Sequence, residues 1–131
     1  MDAQNPEPHK VKILAICDDD WYNTSAQIEV LLDNNPEFQL VGNTKSGREG
    51  IELARQYTPE IVLISTNVHD VNAIECISLV KKAVPEAKVI MMYIGIDGDY
   101  LKKAMQAGAR LFLGKPLDKD ELVSTIRHVL K

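Results

Sequence analysis

Apolar residues in this chain recur at two alternating spacings, and that alternation restricts the fold more than any other feature. Val11–Cys17, Phe38–Thr44, Glu60–Ser65, Lys88–Tyr93 and Arg110–Gly114 are short, apolar and rich in β-branched residues. Such runs suit strands covered on both faces. Between them lie residues at helical spacing: Ile28, Leu31 and Leu32; Ile51 and Ala54; Ile77, Val80 and Val84; Leu101, Ala104 and Met105; Leu122, Ile126 and Val129. Five strands alternating with five helices predict an α/β, doubly wound, five-stranded parallel sheet with right-handed crossovers.

Punctuation agrees with that reading. Ser46 is suited to cap the second helix, with Glu49 completing a capping box, and Asp99 and Asp118 are expected to cap the fourth and fifth. Asn35-Pro36, Thr58-Pro59, Val84-Pro85 and Ala107-Gly108 stop helices ahead of the next strand. Residues 1–10 read as a loose polar tail and 11–131 as one domain, a length that buries a core without staples. Cys17 and Cys76 sit in apolar runs and read as small core hydrophobes of a reducing compartment. The chain has no apolar run long enough for a membrane span and no apolar signal-peptide core, so a cytoplasmic location is expected.

The formal net charge of -4 argues against nonspecific binding to nucleic-acid backbone. It averages two unlike parts. Residues 1–70 carry 5 basic and 12 acidic side chains, and residues 71–131 carry 10 and 7.

In a doubly wound sheet, function gathers outside the carboxyl ends of the strands. This places Asp18, Asp19 and Asp20, Ser65 to Asp70, Tyr93 to Asp97, and Lys115-Pro116 at the candidate site. Three adjacent carboxylates repel one another and call for a cation, either a divalent metal or Lys115. The plainer alternative is one aspartate capping the first helix and the others solvated. His9, His69 and His128 have no metal-ligand spacing and read as surface or loop residues.

From about Val11 to Lys131 the chain resembles the receiver domain of two-component response regulators. The stretches that carry the resemblance are Asp18–Asp20, SGREGIELA, PEIVLI, KVIMM, AGAR and LFLGKPLDKDEL. The resemblance implies the flavodoxin-like (CheY-like) fold with strand order 2-1-3-4-5 and five helices. It also implies an acidic pair that holds magnesium, an aspartate phosphorylated at the end of the third strand, and a hydroxyl and a lysine that sense the phosphoryl group. It describes a signalling module, not an enzyme.

Carried over by position, the acidic pair falls within Asp18, Asp19 and Asp20. Counting from the helix selects Asp19 and Asp20, and counting from the strand selects Asp18 and Asp19. The phosphoacceptor position holds Ser65, the hydroxyl switch position holds Tyr93, and Lys115 is retained. A serine hydroxyl without a general base is a far weaker nucleophile than an ionised carboxylate, so aspartyl phosphorylation at Ser65 is impossible. Loss of an anionic ligand leaves at most weak magnesium binding at Asp19 and Asp20.

The function implied is that of an atypical pseudo-receiver: a phosphorylation-independent protein-interaction or dimerisation module. The alternative is a phosphoswitch with magnesium-dependent phosphorylation of a non-standard acceptor such as Asp20 or Asp70. The expected interaction face is formed by the fourth helix, fifth strand and fifth helix, with Tyr100, Lys103, Arg110, Lys119 and Arg127 on it. It would meet a protein partner, an attached effector domain or a second copy, with no membrane and no direct nucleic-acid contact. The run Asp99–Arg127 also resembles the receiver-like N-terminal domain of Tad pilus-assembly proteins of the TadZ/CpaE kind, in which an ATPase follows; this chain carries no P-loop.

Overall fold

The computed structural model describes residues 9–131. Residues 1–8, most of the expected tail, lie outside the described residues. Strand and helix alternate as β1 (Val11–Ile16), α1 (Thr24–Asp33), β2 (Phe38–Thr44), α2 (Gly47–Tyr57), β3 (Ile61–Ser65), α3 (Ala73–Ala83), β4 (Lys88–Tyr93), α4 (Gly98–Ala107), β5 (Ala109–Gly114) and α5 (Lys119–Val129). All four strand pairings are parallel and the sheet order is β2-β1-β3-β4-β5, as expected.

The period of two along each strand divides the core between the two faces of the sheet. Ile13, Ala15 and Cys17 of the β1 segment join Ile61, Leu63, Ile90 and Met92 under α1 and α5. Leu14 and Ile16 join Val62, Ile64, Val89 and Met91 under α2, α3 and α4. Every residue of β3 is buried, which is why its sequence shows no alternation of apolar with polar residues.

Two helix starts depart from expectation, and a third has no side-chain bond from its cap residue. The Ser46 side chain accepts from Glu49 N, but the Glu49 carboxylate bonds the Thr44 hydroxyl and does not return to Ser46 N, so only half of a capping box forms. Asp97, not Asp99, caps α4: its extended backbone lets Oδ1 accept from Tyr100 N, whereas Asp99 already lies in the first turn. The N-cap of α1, Asn23, makes no side-chain cap bond and sits at φ 57 in the left-handed region. Asp118 caps α5 as expected, and Asn72 caps α3. Among the described residues no helix is long and apolar enough to cross a membrane.

Candidate functional site

Parallel strands deliver their C-terminal ends to one edge of the sheet, so Cys17, Ser65, Tyr93 and Lys115 emerge together although they are far apart in sequence. At the centre of this edge the Lys115 side chain has no exposed surface. Its Nζ donates to Asp20 Oδ2 at 2.5 Å and also to Ser65 Oγ. Ser65 is fully buried, and its Oγ accepts a further hydrogen bond from Asn67 N at 3.0 Å. The Lys115–Pro116 peptide is cis.

Asp20 is the most constrained of the three aspartates. Its side chain is 2% exposed. Oδ1 accepts from Tyr22 N and Thr24 N, and Oδ2 accepts from the buried Thr24 hydroxyl as well as from Lys115. Burial pushes the Asp20 carboxyl up, but the hydrogen bonds from Lys115 and Thr24 outweigh it and hold the group below the usual carboxylate value.

Its neighbours turn elsewhere. The Asp19 side chain is 71% exposed and pairs with Lys45 at 2.7 Å. Asp18 lies two residues past β1, donating its backbone N–H to Asn67 O, and its carboxylate stands 3.6 Å from His69 Nδ1. Asp18 and Asp20 both lie in the loop between β1 and α1, the first near the strand's end and the second four residues ahead of Thr24. Asp19 and Asp20, the expected metal pair, are not brought together, because one faces solvent and the other is drawn inward by a buried ammonium. Asp70 is turned toward α2, where it accepts from Ser46 Oγ and Gly47 N. His9 lies against Glu60, and His128 is exposed.

Magnesium requires several oxygen ligands around one point in near-octahedral geometry. The carboxylates here do not converge on such a point, and among the described residues no group of three or more His, Cys, Asp or Glu side chains is arranged to hold a metal. The residues as placed do not fit the ion.

Tyr93 turns across the fifth strand. Its ring packs edge-on against Phe112, with centroids 6.4 Å apart, and lies over Gly114. Of the expected interaction face, Lys103, Arg110 and Lys119 are exposed and, among the described residues, without an ion-pair partner. Tyr100 packs partly into the core. Arg127 is engaged within the chain, its guanidinium binding Glu37 ahead of β2 at 2.7 Å. Thr24 and Asn67, which complete the central cluster, were not anticipated. The signal for Thr24 was its place four residues after Asp20, within reach of a capping carboxylate.

The family model for the response regulator receiver domain matches residues 14–127. The chain is 27% identical over 125 residues to the transcriptional regulatory protein DegU of Brevibacillus brevis, covering 95% of this chain and 53% of that protein. It is 27% identical over 119 residues to the response regulator GacA of Pseudomonas aeruginosa, covering 91% of this chain and 55% of GacA. The chain thus spans about half the length of the curated relatives it matches. Among solved structures, the signal receiver domain of NarL from Mycobacterium tuberculosis superposes with a TM-score of 0.83 at 19% identity, covering 93% of this chain and 97% of that one. A CheY-like receiver domain protein from Methanospirillum hungatei gives the same TM-score and identity, with coverage of 93% and 94%. With the sheet order, the clustered strand ends and a match across nearly its whole length, this chain belongs to the response regulator receiver domain family.

Proposed function

We propose that this receiver domain works without phosphorylation, as a cytoplasmic protein-interaction or dimerisation module, and is not an enzyme. The observation that carries the reading is the state of Ser65: at the phosphoacceptor position stands a buried hydroxyl already bonded to Lys115 and Asn67. A hydroxyl needs a general base to attack a phosphoryl donor. The nearest amine is the ammonium bound to Asp20, so it supplies none. The two alternative acceptors are both engaged, Asp20 with Lys115 and Asp70 with the start of α2. The reading assigns no resident magnesium, since the carboxylates that would hold it are dispersed.

The test is intact mass after incubation with a small-molecule phosphodonor and magnesium. The expected result is no added phosphoryl group. A stoichiometric, acid-labile adduct would sink the proposal and replace it with the non-standard phosphoswitch.

The partner is assigned to the α4–β5–α5 face, and is an effector domain, a separate protein or a second copy. The resemblance to the Tad pilus-assembly proteins makes one version specific: an ATPase domain in the same polypeptide or the neighbouring reading frame would support it. A DNA-binding domain there would instead align the chain with the transcriptional regulators it resembles.

A further inference from the structure

An ammonium inside a fold persists only where a carboxylate is fixed against it. Ser65, the strand residue bonded to the Lys115 ammonium, offers a hydroxyl that accepts a hydrogen bond but carries no charge. The balancing carboxylate comes instead from the loop between β1 and α1, where Asp20 reaches inward to Lys115. The same carboxylate gathers Tyr22 N, Thr24 N and the Thr24 hydroxyl, so one side chain both starts α1 and neutralises the lysine that follows β5. The consequence extends past the cluster, because Lys115 N donates to Tyr93 O at 2.9 Å and the Tyr93 ring lies over Gly114.

We infer that Asp20 is the internal substitute for the carboxylate missing at position 65, and that its bond to Lys115 fastens the β1–α1 loop to the ends of β3 and β5 in one permanent arrangement. The inference rests on the reading that no phosphoryl group enters this site. A phosphoswitch would exchange the partners of its lysine between two states; here the lysine keeps one set, and the surface carrying Tyr93 and Phe112 is presented constitutively.

The test compares the wild type with Asp20→Asn, Ser65→Asp and the double variant, by thermal unfolding and by fluorescence anisotropy of Trp21. Trp21 is the chain's one tryptophan, is adjacent to Asp20 and is 93% exposed. Asp20→Asn strands the ammonium and lowers Tm by about 10 °C. Ser65→Asp alone sets two carboxylates on one ammonium and gains no stability. The double variant returns a single carboxylate to the lysine and recovers at least half of the lost Tm. Trp21 anisotropy falls in Asp20→Asn and stays low in the double variant, where charge is balanced but the loop is untied.

A wild-type Tm in Asp20→Asn, or a double variant whose loss equals the sum of the single losses, overturns the substitution. Unchanged anisotropy in both Asp20 variants overturns the tether. Should Asp20→Asn not fold, the double variant must; its failure to fold overturns the proposal as well. Phosphodonor mass on the same chains separates the two readings. Phosphoryl uptake by the wild type sinks the phosphorylation-independent function whatever the melts show, whereas additive melts without uptake sink only the tie.

Discussion

At the scale of single residues, the three consecutive aspartates have three different fates. The sequence marks the cluster plainly, because three like charges after a buried strand need a cation. It does not say which member meets Lys115, since a loop has no periodicity from which to read direction. Asp20 is selected by two demands at once, the unpaired N–H groups at the start of α1 and the buried ammonium. Its carboxyl lies below the usual value of about 3.9. A depressed folded-state value adds stability that is complete above the unfolded value and is lost as pH falls through the folded one. The Tm gap between wild type and Asp20→Asn is therefore expected to be full at neutral pH and to close below about pH 4, in calorimetry across an acid series. A gap that stays constant down the series would remove Asp20 from the acid response.

The two thiols give a second prediction at this scale. Both are fully buried, as their apolar surroundings in sequence imply. Burial pushes Cys76 up to about 11, and nearby Asp70 and Glu75 add to the shift. Burial also raises Cys17, although Lys115 and the Ser65 hydroxyl pull the other way. Thiolates are the reactive form. Neither cysteine is expected to react with an aromatic disulfide reagent at pH 8 until denaturant is added, and rapid labelling of the folded chain would contradict the packing at both faces of the sheet.

Elements were more legible than residues. The central strands are covered on both faces, so their apolar runs survive in the sequence almost uninterrupted, and three of the five runs differ from the observed strands by one residue at an end while Lys88–Tyr93 and Phe38–Thr44 coincide. Helix starts were less legible, because several polar residues compete within three positions and backbone conformation decides among them. Asp97 and Asp99 show this: both are capping residues by type, but Asp97 is extended and Asp99 is helical. Asp97→Ala is expected to cost about 1 kcal/mol, the usual value of an N-cap. Asp99→Ala should cost only a few tenths, the interaction of a first-turn carboxylate with the helix dipole. Urea unfolding of the two variants checks the order, and a larger loss for Asp99→Ala would return the cap to the position first expected.

For the whole molecule, the parallel topology sets acidic first turns and basic last turns at opposite ends. Helix N-termini lie at the edge that carries the site, with Glu49, Glu75, Asp99, Asp120 and Glu121 in their first turns. Arg55, Lys81, Lys82, Arg127 and His128 occupy last turns at the opposite edge. Both sets complement the helix dipoles, so much of the charge pattern belongs to the fold and not to a partner. What the dipoles do not explain is the side of the molecule around α4 and β5, where exposed Lys103 and Arg110 accompany Met105 at 58% exposure and Ile94 at 45%. Cations beside exposed apolar groups suit a protein interface. A second exposed apolar group, Val30 at 65%, borders a cleft of Ala26, Gln27, Leu31 and Leu117 on the other side of the sheet, so the two surfaces can be separated by experiment. Met105→Glu is expected to weaken self-association or partner binding in sedimentation velocity while changing stability by no more than about 0.5 kcal/mol, as for other exposed positions. Val30→Glu should leave association unchanged. The reverse result, with Val30→Glu disruptive and Met105→Glu silent, would move the interface from the α4–β5–α5 face to α1.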